Sequence, residues 1–343
     1  MEEKLTNYFN NINLRYLLET YSPDNVLHRE HQINELKNVF KNFKRGIYQN
    51  KIVQGVTGSG KSVSIRKVMS EYERITLFSS GLITKTSINT LKALSDSTYH
   101  TKAKILTSFI NDLKNKPKIL VIDEIDKIKD LNFFSQDLNA VYRETQVPII
   151  IITNKVKMLE QLSDDVNRTL LFERIFFPSY THNELLDILN ERLKLCNYNN
   201  LPEDTKKYIC GYTAKNGSAR FMLNFTYKLI IKNKFDRESI EELIKNLESE
   251  EWKLWIDSLS SIEKDVLRIM IEVYDSKKAV TNSDIQQKLK NLSPSRISQI
   301  VTYLMNEYGI IKSEVINIGR KGGRYRVLKF TSQDTFNKIS ELI

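Results

Sequence analysis

The sequence is poor in several things, and each shortage excludes a class. Only two of its 343 residues are cysteine, Cys196 and Cys210, and they are not spaced as C-x-x-C. A disulfide scaffold and a cysteine zinc site are therefore not expected. The four histidines, His28, His31, His100 and His182, lack metal-ligand spacing with thiols or carboxylates. No run of about 18 apolar residues exists, so no membrane span and no membrane partner are expected. The opening segment lacks the basic-then-apolar order of a signal peptide, which predicts a cytoplasmic protein. Glycine (11) and proline (6) are scarce, so no flexible linker marks domain edges and boundaries must come from changes in pattern.

What is present is ordinary globular material, 41% hydrophobic and 27% charged, with length for two or three domains at roughly 150 residues each. Basic residues outnumber acidic ones, 52 to 42, for a net charge of +10. That excess suits a polyanionic partner without requiring one. Residues 1 to about 45 read as helical, interrupted by a turn at Ser22-Pro23-Asp24. Four apolar runs follow, at 51–56, 74–80, 118–123 and 148–153, separated by helical segments. Uninterrupted runs of this kind predict strands buried on both faces of a parallel sheet. From Tyr180 the period stays helical. Near Leu259 a shorter pattern begins, three helices and then an alternating stretch bent at Gly322-Gly323, the order of a winged helix. The expected domains are thus 1–179 (N-terminal helices and an α/β domain), 180–250 (helical) and 251–343 (winged helix).

The strongest motif is Gly55-Val56-Thr57-Gly58-Ser59-Gly60-Lys61-Ser62, which fits G-x-x-x-x-G-K-S/T between a strand and a helix. Its glycines let backbone N–H groups wrap phosphate oxygens, and the next helix points its positive end at them. Lys61 is expected at the β- and γ-phosphates and the Ser62 hydroxyl in a magnesium shell. Downstream, a buried strand ends in Asp123-Glu124. There Asp123 can hold magnesium through water, and Glu124 can polarise the attacking water. The same acids, with Asp126, would also suit the start of a helix. Asn154, at the end of another strand, can orient the lytic water, or serve as a turn or N-cap residue.

The wing is rich in basic side chains: Arg320, Lys321, Arg324, Arg326 and Lys329, with no acid from Val315 to Ser332. Charges so placed contact phosphates or the minor groove. In the preceding helix Ser295, Arg296, Ser298, Gln299 and Thr302 are candidates to face a groove, while Ile297, Ile300, Val301 and Leu304 pack inward. A winged helix used for protein contacts is the competing reading.

Taken together, the phosphate loop, acidic pair, strand-terminal Asn154 and following helical domain resemble an AAA+ ATPase with its lid. More specifically the sequence is similar to the archaeal origin-recognition initiators. That resemblance rests on Asn25-Val26-Leu27-His28-Arg29-Glu30 at the entry, on the run from Phe176 to Leu193 that opens the lid, and on Asn216-Gly217-Ser218-Ala219-Arg220 as second sensor. It implies ATP or ADP with Mg2+ as cofactors, with Val26, Leu27, Tyr180 and Arg192 lining the nucleotide pocket and Arg220 approaching the γ-phosphate. It also implies a weak, switch-like ATPase that binds double-stranded origin DNA and helps recruit or load an MCM-type helicase, together with other initiator protomers. The family's arginine that completes a neighbour's site falls here at Asp165, with Arg168 and Arg174 nearest to it. The stretch 76–112 is where an initiator-specific insertion belongs. Two other readings remain open on sequence: a transposon-type AAA+ regulator forming filaments on DNA, and a signalling ATPase whose winged helix binds protein.

Overall fold

The computed structural model describes residues 12–215, 217–277, 279–308, 310–318 and 322–343. They fall into two compact units, the first ending at Phe235 and the second beginning at Asp236.

The first unit is built on five parallel strands. In chain order its elements are α1 (Glu30–Phe43), β1 (Lys51–Gly55), α2 (Lys61–Glu71), β2 (Thr76–Ser80), α3 (Gly81–Thr84), α4 (Ser87–Ser95) and α5 (Lys102–Asn115). Next come β3 (Ile119–Asp123), α6 (Leu131–Thr145), β4 (Ile149–Thr153), α7 (Asp164–Leu170) and β5 (Glu173–Phe177). The strand order is β2-β3-β4-β1-β5. Alternation along each strand sends successive side chains to opposite faces. Ile52, Leu120, Ile122, Ile149 and Ile151 meet Leu91, Phe109, Phe134 and Leu138 on one face. Val53, Val121, Ile150, Ile152 and Ile175 meet Leu36, Phe40, Ile65 and Val68 on the other. Both faces being covered, β3 and β4 are buried at every position.

The four expected strands are present, trimmed by a residue or two, and a fifth joins them. In β5 the exposed Glu173, Arg174 and Phe176 alternate with the buried Ile175 and Phe177, so an edge strand has no uninterrupted apolar run to reveal it. The N-terminal expectation is corrected in part. Residues 1–11 lie outside the described residues, and between there and Pro23 only one 3-10 turn forms, Leu14–Leu17. Leu17 is buried while Leu18 is exposed, so this segment lacks the continuous apolar stripe that sustains a helix. Instead the Asn13 N–H donates to the Cys196 carbonyl at 3.1 Å, tying the segment to the lid.

The lid follows as α8 (His182–Leu195), α9 (Glu203–Ala214) and α10 (Ala219–Lys232). A capping box starts α8: the Thr181 hydroxyl takes the Glu184 N–H, and the Glu184 carboxylate takes the Thr181 N–H.

The second unit contains α11 (Arg237–Ser258), α12 (Ser261–Lys277), α13 (Asn282–Lys288), α14 (Pro294–Tyr308), β6 (Ile311–Ile318), β7 (Gly322–Phe330) and α15 (Gln333–Leu342). Three helices and an antiparallel hairpin make it a winged helix. Its core joins Val266, Leu267, Met270, Ile285, Ile297, Leu304 and Leu328. Gly322-Gly323 does not form the bend as expected: both glycines already belong to β7, with Gly322 opposite Ile318.

Candidate nucleotide site and nucleic-acid interface

Parallel strands bring their C-terminal ends to one edge, where ligands of such sheets collect. There β1 runs into the phosphate loop and β3 ends in Asp123-Glu124. Gly58 and Gly60 adopt φ of +79° and +93°, which a side chain would strain. Space is equally short, because a Cβ on Gly58 would overlap the Ser218 hydroxyl and one on Gly60 would lie 2.6 Å from the Tyr180 hydroxyl. The loop is thus packed beneath the start of α10, and the Ala219 N–H donates to the Gly58 carbonyl at 3.2 Å. Val56, at the loop's outer turn, is exposed, as is Thr57, while Ser59 is buried.

The Lys61 ammonium folds over the loop, donating to the carbonyls of Gly55 and Val56 at 2.8 and 2.7 Å. Burial lowers its pKa to about 8; the Asp123 charge opposes the shift and the Arg220 charge adds to it. Asp123 accepts from the Ser62 hydroxyl, which joins the two expected magnesium ligands. Burial pushes the Asp123 carboxyl up, and the Ser62 hydroxyl and Glu124 N–H partly pull it back. A hydroxyl beside a carboxylate is an all-oxygen donor pair suited to a hard divalent cation. Glu124 adopts φ of +51° and takes the Ser80 hydroxyl at 3.4 Å. Its carboxyl is raised by burial, then by Asp123 and Asp126. Asp126, in the turn after β3, accepts from the Thr153 hydroxyl at 2.8 Å, which ties that turn to β4. Half-buried Asn154 follows directly.

One residue in the entry motif matters more than its sequence suggested. Arg29 is 1% exposed and donates to three carbonyls: Ser59 at 2.8 Å, His28 at 2.6 Å and Pro178 at 2.7 Å. Its guanidinium carbon lies 3.7 Å from the centre of the Tyr180 ring. One planar cation therefore clasps the phosphate loop to the segment that enters the lid. The signal was present, an arginine next to the expected base-binding residues, but a lone Arg carries no mark of full burial. Tyr180 is buried against it, and burial lifts its phenol to about 12. Val26 is buried among the side chains of α1 and β1, and Leu27 is half-buried beside it. Arg192 is buried over the Tyr21 ring at 4.7 Å, and its Nε and Nη1 groups have no hydrogen-bond partner among the described residues. Arg220 projects from the first turn of α10 and pairs with Glu19 at 2.8 Å. Asn216, the first residue of the second-sensor motif, lies outside the described residues. On α7 and β5, Asp165, Arg168 and Arg174 are all exposed.

In the second unit α14 divides as its sequence implies. Ile297, Ile300, Val301 and Leu304 are buried, and Ser295, Arg296, Ser298, Gln299 and Thr302 are exposed. Arg296 donates to Gln299 at 3.3 Å, so the two form one polar patch. Arg320 and Lys321 lie outside the described residues, and of Arg324 only the backbone is described. Arg326 is exposed on β7. Lys329 is not an unpaired wing charge: Glu314, across the hairpin on β6, holds it at 2.6 Å. Glu314 lies just outside the acid-free stretch 315–332, and the register sets it opposite Val327, diagonal to Lys329.

Phosphate-loop geometry, an acidic strand tip and a helical lid define an ATPase class, and comparison with known proteins agrees. Residues 52–180 match the ATPase family associated with various cellular activities (AAA). Residues 52–180 are thus similar to an AAA ATPase domain. Over most of its length the chain is similar to ORC1-type DNA replication proteins of archaea. It is 29% identical to ORC1-type DNA replication protein 1 of Sulfurisphaera tokodaii, covering 96% of this chain and 92% of that one. It is 27% identical to the ORC1-type protein of Desulfurococcus amylolyticus, covering 90% and 89%. Among solved structures, the Aeropyrum pernix ORC1 protein in complex with DNA superposes with a TM-score of 0.76 at 22% identity, covering 96% of this chain and 97% of that one.

Proposed function

We propose that this chain is an ATP-switched replication initiator that binds double-stranded origin DNA through its winged helix and helps recruit or load an MCM-type helicase in the cytoplasm. The observation that carries the DNA reading is α14, whose buried apolar face leaves Arg296, Ser298, Gln299 and Thr302 together on solvent. Arg and Gln are the side chains that read G and A edges bidentately. Archaeal relatives named as replication proteins, and a similar fold solved with DNA, support the same reading. In the first unit Lys61 and the loop N–H groups would hold the β- and γ-phosphates, and Ser62 and Asp123 the magnesium. Glu124 and Asn154 would activate and orient water. Val26, Leu27, Tyr180 and Arg192 would shape the nucleotide pocket, and Arg220 would meet the γ-phosphate. Hydrolysis would be slow, the nucleotide acting chiefly to set the lid, with other protomers of the initiator as further partners. The proposed domains are 1–179, 180–250 and 251–343, but the second compact unit begins earlier, at Asp236, because the continuous helix α11 (Arg237–Ser258) belongs to it.

A salt titration of duplex binding tests this, using an origin-like and a scrambled fragment. Each phosphate contact adds about 0.9 to the slope of log affinity against log salt. Replacing Arg320, Lys321 and Arg324 by Ala is expected to lower that slope by roughly two to three while leaving ATP binding intact. Replacing Gln299 should instead relax sequence preference. A triple variant with wild-type slope and affinity would move the reading to a signalling ATPase, and coverage of DNA without sequence preference would favour a filament former.

A further inference from the structure

The segment before the entry motif lies along the lid and touches it at three chemically different points. The Asn13 N–H donates to the carbonyl of Cys196, the residue that caps the C-terminus of α8. The Tyr21 ring receives the Arg192 guanidinium from the same helix at 4.7 Å. Between them Glu19 binds Arg220 on α10, Oε1 to Nε at 2.8 Å. Leu17 anchors the strap in the core.

Arg220 thus stands between two anionic demands. On one side is a carboxylate already in contact. On the other is the phosphate loop, since the Ala219 N–H bonds the Gly58 carbonyl and the Arg220 charge is felt at both Lys61 and Glu124. A guanidinium bound to Glu19 through Nε has limited freedom to turn its fork towards a phosphoryl group. We propose that Glu19 is a positioning residue that competes with the terminal phosphate of a nucleoside triphosphate for Arg220, so that γ-phosphate binding frees the strap Leu14–Tyr21 from the lid. The proposal rests on the reading of Arg220 as the γ-phosphate group. A diphosphate offers Arg220 no γ-phosphate, so the strap stays latched. The lid side of the molecule then differs between the two nucleotide states through a segment that touches no nucleotide.

The contact is solvent-exposed, Arg220 by 48% and Glu19 by 64%, so its contribution is modest and salt-sensitive. Exposed pairs are measured at about 0.2–1 kcal/mol, which sets the expected change at about two- to fivefold or less. Equilibrium titrations with ADP and with a non-hydrolysable ATP analogue, both with magnesium, should be run on the full chain, Glu19→Gln, Arg220→Ala and the double variant. Glu19→Gln is expected to tighten the ATP analogue up to about fivefold with ADP unchanged, and to do nothing once Arg220 is Ala. Hydrogen exchange supplies the second readout. Amides of 14–21 should exchange faster with the ATP analogue than with ADP, and equally fast with both in Glu19→Gln. If Arg220→Ala lowers the ATP-to-ADP affinity ratio but Glu19→Gln leaves it at the wild-type level, the competition is refuted and the sensor reading stands. If Arg220→Ala leaves the ratio unchanged, the sensor reading fails and the proposal with it. An equal shift for both nucleotides in Glu19→Gln also overturns it.

Discussion

Arg29→Ala is a demanding test of how the phosphate loop is held. The guanidinium satisfies three carbonyls at once, of which the bond to Ser59 is buried and the other two partly so. Leaving the Ser59 carbonyl dry costs about 2 kcal/mol, and the two that regain water cost about 1 kcal/mol together. Losing the cation over Tyr180 removes about 1–2 kcal/mol more. Against this, the variant no longer buries a charge, whose burial already lowers the Arg29 pKa; that relief recovers about 1–2 kcal/mol. The net loss is about 3 kcal/mol, a large share of a typical stability of about 5–15 kcal/mol. Urea unfolding followed by circular dichroism should show the transition of the first unit about 1 M lower. Arg29→Lys keeps the charge, but a single ammonium cannot span three carbonyls on two sides, so it should recover less than half of the loss. ADP affinity should fall in both, because the loop loses its tie to Pro178. An Arg29→Ala variant within about 0.5 kcal/mol of wild type would refute the clasp.

Two further outcomes follow from the acid–base character of the site. Phosphate binding should raise the Lys61 pKa from about 8, so nucleotide affinity is full below that value and falls as pH climbs through it. Calorimetry in buffers of different ionisation heat should register proton uptake per nucleotide at pH 8.5–9 that is absent at pH 7; Lys61→Ala should bind severely more weakly and lose the uptake. Glu124→Gln keeps shape without charge, so ATP should bind and persist; wild-type single-turnover hydrolysis in this variant would remove Glu124 from the water-activating role.

Legibility followed burial. The central strands β3 and β4 announce themselves because helices cover both faces, so every residue but Asp123 at the tip of β3 is apolar or small. The edge strand β5 mixes Glu173 and Arg174 with Ile175 and Phe177 and escaped notice. Motif residues whose chemistry is local, Lys61, Ser62, Asp123 and Glu124, do gather at one end of the sheet. Arg29 and Glu19 were not legible, because their partners come from elsewhere in the chain: Ser59 and Pro178 for one, Arg220 for the other. The apolar face of α14 could be read position by position, since a helix buries at fixed spacing. The pairing of Lys329 with Glu314 needed the hairpin register.

The strand order bears on when this protein becomes functional during its own synthesis. β1 carries the phosphate loop, yet its neighbours in the sheet are β4 and β5, which begin at Ile149 and Glu173. The ribosome therefore releases the loop long before anything can pair with the strand that holds it. Its last supports come later still: Pro178 for Arg29, then Ser218 and Ala219 over Gly58. At translation speeds of about 5–20 residues per second, that wait is on the order of ten seconds. A nascent chain stalled before Gly217 would carry the entire phosphate-loop motif and retain no nucleotide, and one released past α10 would be the first able to.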